Sequence, residues 1–191
     1  MFDGIFTPAF LQSACAQSQQ SQNVIRLHIG DISQFDLSLE INYSGNVHAT
    51  YIKNGVKQTA TPDENYLEFL PDANTDVIIT GDITRFLAGA PPNSSIVAID
   101  ATDCKSLMSL ITSPVVETLK IGKYLTSLDV RGTNIKSIYY PANNNSVSTA
   151  IANAITNADA NNGTVYTDPN GTYYNTIANA ATAKGWTIEE L

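Results

Sequence analysis

An apolar repeat with a period of roughly 20 residues constrains the fold of this chain more than any other feature of its sequence. The repeating positions are almost evenly spaced and are Ile79, Ile99, Leu119 and Ile138. A second apolar series falls between them, at Phe86, Leu110 and Leu128. A fixed period of this length is typical of a solenoid, in which successive coils stack and bury a continuous spine. Because solenoids of this kind usually bind or scaffold, the repeat favours an interaction or structural protein.

The segments on either side of the repeat predict the rest of the architecture. Residues 23–75 alternate apolar and polar positions as strands do, and Asn54-Gly55 has the composition of a type I′ hairpin turn. Residues 142–191 carry two helical patterns, each followed by a short strand pattern, as expected of a cap over the last coil. We therefore predict an α+β, mostly β fold. In it, a small antiparallel β domain (23–75) precedes a short leucine-rich-repeat-like solenoid (76–141) with an α-β-α-β C-terminal cap (142–191).

Short local patterns indicate where several of these elements end. Ser44-Gly45-Asn46 predicts a break between two strands. Either Ser146 or Ser148 is expected to cap the first helix, and Gly185 is expected to end the second. Cys104 falls where a leucine-rich coil faces inward, which predicts a buried thiol.

Residues 1–22 have a composition of their own. Large apolar side chains are concentrated at the start, at Phe2, Ile5, Phe6, Phe10 and Leu11. Residues 12–22 are rich in Gln and Ser and are typical of a linker. A peptide of about eleven residues cannot bury its own side chains, so we predict that residues 1–22 comprise an anchoring peptide (1–11), which docks on a partner, and a linker (12–22). The alternative is an N-terminal strand that packs on the body of the same chain.

The charge of the chain bears on its partners. Net charge is −8 at pH 7, with a pI near 4.5, and the sequence contains no cluster of Lys and Arg. Binding to phosphates requires such a cluster, so we expect no nucleic-acid partner, and an anionic membrane surface is disfavoured for the same reason. No run of residues approaches the roughly 20 apolar positions of a membrane span, so we expect no membrane partner either.

The chain offers little material for catalysis. Its two histidines, His28 and His48, lie in strand patterns without a further ligand at zinc spacing. The acidic residues of the repeat form no pair with an evident acid–base context, which weighs against an enzyme such as a glycan hydrolase. The sequence has no glycine-rich phosphate loop and no nucleophile elbow. We therefore predict a protein without catalytic activity, cofactor or bound metal.

A set of polar positions in the repeat is the remaining functional candidate on the body. In an apolar-x-apolar strand the middle side chain points away from the core. The middle positions, one in each coil, are Thr80, Asp100, Lys120 and Tyr139. We expect them to line up across adjacent strands, either as a contact surface or as an ordinary solvated face of the sheet.

Three segments of the sequence together resemble a known family. They are TGDITRF, YLTSLDVRGTNIKSI and NNGTVYTDPNGTYYNTIANAATAKGWTIEEL. They resemble the leucine-rich-repeat proteins of gut Bacteroidetes and of the crAss-like phages that infect them, and the resemblance covers residues 30–191. In that family a β module precedes a TGDIT strand, LTSLDV-type coils follow, and a cap ends in a KGWT-like strand. The family often has many coils, whereas only about three to four are expected here.

The resemblance implies a function as well as a fold. It implies a structural virion protein of a tailed bacteriophage, a capsid decoration or head-fibre component, attached to other virion proteins through residues 1–11. The alternative is a Bacteroidetes surface or secreted leucine-rich-repeat adhesin that binds protein or glycan. Such a host protein needs a signal or lipoprotein sequence, which the apolar run broken by Pro8 does not resemble. A sheet edge and an incomplete solenoid leave surfaces that a second copy could cover, so we also expect a homo-oligomer.

Overall fold

The computed structural model describes residues 23–31, 37–88, 95–112, 114–130, 134–158 and 162–191. Within these ranges the elements are, in order, β1 (Val24–Ile29), β2 (Leu37–Lys53), β3 (Val56–Ala60), β4 (Tyr66–Phe69), β5 (Asp76–Leu87), β6 (Ile96–Ala101), β7 (Ser109–Ile111), β8 (Thr118–Ile121), β9 (Ser127–Asp129), β10 (Ser137–Tyr139), α1 (Asn145–Asn157), β11 (Thr164–Thr167), α2 (Tyr174–Lys184) and β12 (Thr187–Glu190). The fold is α+β and mostly β, as predicted. The predicted anchoring peptide lies outside the described residues, as do its apolar side chains Phe2, Ile5, Phe6, Phe10 and Leu11.

The described strands pair into one mixed sheet. Its main path runs β12-β11-β10-β8-β6-β1-β5-β2-β3, while β4 pairs with β2, and β7 pairs with both β5 and β9. The pairings among β1 to β5, and the pairing of β1 with β6, are antiparallel. The other pairings are parallel and form two sets. The long ladder consists of β6, β8, β10, β11 and β12, and the short ladder consists of the second half of β5 with β7 and β9.

The two apolar series of the repeat form interior rows of these ladders. Along the chain, β6 to β10 alternate between the long ladder and the short ladder. In the long ladder Leu119 lies between Ile99 and Ile138, and the same row continues through Val165 to Ile188. In the short ladder the aligned residues are Phe86, Leu110 and Leu128. All of these side chains except the partly buried Leu128 and Ile188 are fully buried, and full burial of a side chain of this size contributes about 1.5–3 kcal/mol, so the aligned rows stabilise the stacking of the strands.

The first step of the repeat is interrupted by β1, which lies between β5 and β6 and is antiparallel to both. The prediction that Ile99 stacks directly on Ile79 is therefore wrong. Each of them faces a residue of β1 instead, namely Leu27 and Ile25 respectively. The reason is that β1 alternates buried and exposed side chains and contributes core residues of its own. The sheet is continuous across the predicted boundary at residue 75, and the division into domains stays a prediction.

The predicted strand break at Ser44-Gly45-Asn46 is wrong, because β2 continues through this segment as a bulge. The residues from Gly45 to Val47 lie opposite Gly81 alone. Gly45 has φ +66° and Gly81 has φ +135°, which are backbone conformations that favour glycine. A Cβ on Gly81 would lie 2.6 Å from the backbone oxygen of Asn46. Glycine at both positions thus allows β2 to carry the bulge and continue.

The C-terminal elements follow the predicted helix–strand–helix–strand order, as α1, β11, α2 and β12. Neither Ser146 nor Ser148 caps α1. The cap is Asn144, whose side chain accepts a hydrogen bond from the N–H of Val147 at 3.2 Å. Gly185 ends α2 as predicted, in the left-handed conformation with φ 78°. Within the described ranges, no helix has the length and apolarity that a membrane span requires.

Two further local predictions are confirmed. Asn54 and Gly55 have φ 51° and 72° and connect β2 to β3, which pair as a hairpin. Cys104 is buried, and its Sγ lies 3.6 Å from Ser106 Oγ. Burial raises the pKa of the Cys104 thiol above its ordinary value, so the thiol behaves as a neutral core group.

Candidate functional site

The predicted polar positions of the repeat belong to a row that crosses the main path of the sheet. Asp100, Lys120 and Tyr139 lie side by side on β6, β8 and β10, as predicted. The complete set of aligned outward residues, here named the surface row, is Thr59, Thr50, Ile78, Arg26, Asp100, Lys120, Tyr139, Tyr166 and Glu189. The prediction that Thr80 aligns with these residues is wrong, because the antiparallel register of β1 places Thr80 opposite Val24.

Aromatic and cationic side chains stack in the part of the surface row that belongs to the long ladder. The rings of Tyr139 and Tyr166 lie 4.0 Å apart and within 2° of parallel. Lys120 Nζ lies 4.8 Å from the centre of the Tyr139 ring, which is a cation–π contact. Neighbouring strands are about 4.8 Å apart, so in-register parallel pairing brings side chains at the same position into such stacks. A hydrogen bond with Tyr139, followed by desolvation, raises the pKa of the Tyr166 hydroxyl.

A groove of about 760 Å³ lies beside this stack, at the carboxyl ends of β6, β8 and β10. Parallel strands end at the same edge of a sheet, so the turns that follow them contribute to one lining. The charged and aromatic lining side chains are Arg26, Asp103, Lys105, Lys123, Tyr124 and Tyr139. Val24 and Pro141, both partly exposed, add apolar surface. The volume falls in the range of about 300–1,000 Å³ that is typical of ligand sites.

The groove gathers cations in a chain that is acidic overall. Arg26, Lys105 and Lys123 line it, and Lys120 adjoins it in the surface row. These are four of the ten Lys and Arg residues of a chain with 18 Asp and Glu, so cationic side chains are concentrated here. Asp103, a carboxylate of the lining, is paired with Arg26 at 2.8 Å. The arrangement can hold an anionic ligand next to aromatic and apolar surface.

Sequence patterns missed most of the groove because its side chains come from separate segments. Arg26 lies on β1, whereas Lys105 and Lys123 lie in turns of the repeat. One signal was available: Lys105 and Lys123 each follow a strand of the long ladder, so the period could have placed both at one edge. The partly exposed Tyr124 is adjacent to Lys123 in the sequence, but nothing in the period marks it as a site residue.

The position at which β1 begins is fixed close to this groove. Asn23 Oδ1 accepts hydrogen bonds from the N–H groups of Lys105 at 2.7 Å and Ser106 at 3.3 Å. Asn23 Nδ2 donates to the carboxylate of Asp82, and the backbone oxygen of Asn23 accepts from the N–H of Gly81 at 3.0 Å. Asn23 directly follows the predicted linker in the sequence. A single Asn before a strand is an ordinary loop residue, so sequence patterns did not mark it.

Other ionisable side chains considered in the sequence take part in local structure. His28 Nδ1 lies 2.7 Å from Asp76 Oδ1. The carboxylate of Asp100 accepts hydrogen bonds from the N–H and the hydroxyl of Thr102, at 3.1 and 2.6 Å, in the turn after β6. Among the described residues, no group of three His, Cys, Asp or Glu side chains is close enough to hold a metal ion. Comparison of the chain with protein-family models, curated proteins and solved structures finds no significant match.

Proposed function

We propose that this chain is a non-enzymatic structural protein of a tailed-bacteriophage virion, either a capsid-associated decoration or a head-fibre component. Residues 1–11 attach to another virion protein, residues 12–22 are the linker, and the β body is displayed outward. The strands that alternate between the long and short ladders are the coils of a short leucine-rich-repeat-like solenoid, and α1 to β12 are its cap. The resemblance of the TGDITRF, YLTSLDV and KGWT segments to the phage and Bacteroidetes proteins supports this proposal.

The observation that carries the attachment role is the way in which Asn23 is held. Its side chain bonds the turn at Lys105 and Ser106 as well as Asp82 of β5. Along the chain, Asn23 leads directly into β1, which is paired on both sides, with β5 and β6. A load applied through residues 1–22 would therefore reach the middle of the sheet instead of a peripheral strand. This arrangement suits a body that is held by its N-terminal segment.

Deletion of residues 1–22 tests the attachment role. The truncated chain should remain folded, because Asn23 and all of β1 are kept, but it should be missing from purified virions. A matched control keeps residues 1–11 and replaces residues 12–22 with a Gly/Ser linker of equal length; this form should be incorporated. Mass spectrometry of purified virions would measure each form relative to a capsid protein. Incorporation of the truncated chain at the level of the full chain would contradict the proposal.

Self-association belongs to the same proposal. The main path of the sheet ends at β3 and β12, and strands at such positions have backbone groups that a second copy can pair with. Sedimentation velocity of the full chain should therefore show a homo-oligomer, and a monomer at micromolar concentration would contradict this part of the proposal. No nucleic acid and no membrane is among the proposed partners.

A Bacteroidetes surface or secreted adhesin is the second candidate, and the cationic groove with Tyr124 is the observation that favours it. An adhesin needs a ligand site on its exposed face, and the groove has the size and the lining that such a site requires. Antibodies against the chain would distinguish the two candidates. Labelling of purified virions supports the virion protein, whereas labelling of intact, uninfected cells supports the adhesin.

A further inference from the structure

We infer that the groove binds an acidic oligosaccharide, a chain of sugar rings that carry carboxylate or sulfate groups. The groove combines Arg26, Lys105 and Lys123 with apolar surface and with the ring of Tyr124. This inference goes beyond the attachment role, because it concerns the displayed face of the body. It holds whether residues 1–11 attach to a virion or to another partner.

Charge favours an anion in this groove. The chain has a net charge of −8, so most of its surface repels an anionic ligand. Within the groove, Asp103 is neutralised in place by Arg26, whose Nη1 lies 2.8 Å from its Oδ2. The ammonium group of Lys120 lies 4.8 Å from the centre of the Tyr139 ring, and that of Lys123 lies 5.4 Å from the centre of the Tyr124 ring. Lys123 and Tyr124 line the groove, so the charge of Lys123 is presented to an occupant together with ring surface, and Lys120 adds positive charge beside the groove.

The remainder of the lining suits sugar rings. A sugar ring has an apolar C–H face that packs on aromatic and aliphatic surface, while its hydroxyl groups form hydrogen bonds. Tyr124 is 44% exposed, and the partly exposed Val24 and Pro141 supply aliphatic surface in the same groove. The carboxylate of Asp103 is an acceptor for a hydroxyl group. Apolar surface with a few placed polar groups is the composition expected of a small-ligand site.

An acidic peptide is the competing ligand, and it suits the groove less well. An extended peptide gains its main-chain hydrogen bonds by pairing with an unpaired strand edge. The strands that end at the groove are paired on both sides: β6 with β1 and β8, β8 with β6 and β10, and β10 with β8 and β11. Their main-chain groups are used within the sheet, so recognition in the groove depends on side chains, which is the mode that sugars use.

Calorimetric titration of the full chain with defined oligosaccharides tests this inference. The acidic probes are a galacturonic acid hexamer, which carries carboxylates, and a κ-carrageenan hexasaccharide, which carries sulfates. We expect at least one of them to bind and neutral maltohexaose not to bind, and the probe that binds identifies the anionic group. Binding should weaken about tenfold in Lys123→Gln and by a similar factor in Tyr124→Ala, since both contacts lie within the groove.

Two control variants make the result specific. Lys57→Gln removes an exposed lysine of β3, which is not part of the groove, and should leave binding unchanged. Tyr124→Phe keeps the ring and should bind as the wild type does, which separates loss of the ring from loss of the fold. Three results would overturn the inference: neither acidic probe binds, Lys57→Gln weakens binding as much as Lys123→Gln, or hexaglutamate binds at least as tightly as the acidic sugars.

Discussion

The antiparallel and parallel parts of the sheet arrange their polar side chains differently. Between the antiparallel strands β2 and β5, opposite charges pair: Arg85 bonds Glu40 at 2.8 Å. In the long ladder, side chains at the same position of successive strands stack on each other, as Tyr139 does on Tyr166. An ion pair also joins residues that flank the parallel strands, Lys136 with Glu117 at 2.6 Å, but the stack of Lys120, Tyr139 and Tyr166 is a feature of in-register parallel pairing. The groove combines both parts, because Lys105, Lys123 and Tyr124 lie in turns after parallel strands and Arg26 lies on the antiparallel strand β1.

The two parts also differ in what sets their register. In the long ladder, nearly equal spacing between successive strands in the sequence places Asp100 beside Lys120 and Lys120 beside Tyr139. In the antiparallel part, the register depends on the Asn54-Gly55 turn and on the bulge opposite Gly81. The positions at which a substitution disturbs the register should therefore differ between the two parts, although β1 joins both parts in one sheet.

The largest expected effect comes from removing one core leucine from each part. Leu119 in the long ladder and Leu39 in β2 are both 0% exposed. Leu119→Ala and Leu39→Ala should each lower the free energy of unfolding by about 2–5 kcal/mol, through lost burial and the cavity that is left. Because β1 pairs with strands of both parts, urea unfolding followed by circular dichroism should show a single transition that shifts in both variants.

The control for these variants is an exposed apolar residue. Val56 on β3 is 58% exposed, so Val56→Ala should change the free energy of unfolding by less than about 0.5 kcal/mol. Two separate transitions, each sensitive to one leucine alone, would show that the parts unfold independently. That result would favour the predicted division at residue 75.

The sequence period predicts the register of β6, β8 and β10 within the long ladder, but it does not predict which strand pairs with β6 on its other side. It predicts that Asp100, Lys120 and Tyr139 align, because parallel strands that recur at a nearly constant interval keep their register. The period cannot predict that β1 lies between β5 and β6, because antiparallel pairing between strands distant in sequence follows no period. For the same reason Arg26 and Asn23 could not be recognised from the sequence as neighbours of the repeat.

The next largest effect is expected at the bulge of β2. Gly81→Ala should destabilise the protein by about 2–4 kcal/mol, because a residue with a Cβ is strained at φ +135° and the new atom would lie 2.6 Å from Asn46 O. Gly45→Ala should cost only about 1 kcal/mol, since φ is +66° and a Cβ there meets nothing within 4 Å. Equal losses in urea unfolding would mean that the bulge relaxes around Gly81.

A smaller effect is expected where Asn23 joins the two parts. Asn23→Ala removes the side-chain hydrogen bonds to Lys105, Ser106 and Asp82 and should cost about 1–2 kcal/mol. Hydrogen exchange at the amides of Lys105 and Ser106 should become faster, because both lose their acceptor. The control Asn157→Ala changes an exposed asparagine of α1 and should leave these amides unaffected. Unchanged exchange in Asn23→Ala would show that Asn23 does not hold the turn.

The smallest expected effect is a pH dependence in the antiparallel part. The carboxylate of Asp72 accepts hydrogen bonds from the N–H groups of Gly55 at 3.0 Å and Asn54 at 2.9 Å, and so holds the tip of the hairpin. These two hydrogen bonds lower the pKa of Asp72 below its ordinary value of 3.8, and the bond from Gly55 contributes more than the bond from Asn54. The stabilisation is therefore fully present above pH 3.8, where the unfolded chain is ionised, and is lost as the pH falls through the lower folded pKa.

Melting temperatures of the wild type and Asp72→Asn, measured between roughly pH 2 and 6, would test this dependence. Above roughly pH 4 the wild type should have a higher melting temperature than Asp72→Asn. At lower pH the two melting temperatures should converge, because protonated Asp72 resembles the amide. In the wild type, the amide NMR signals of Asn54 and Gly55 should titrate with Asp72, while that of Tyr139 in the long ladder should not. Parallel melting curves over the whole range would show that the charge of Asp72 does not hold the hairpin. Charge would then contribute to the antiparallel part through the ion pairs between its strands, such as that of Arg85 with Glu40.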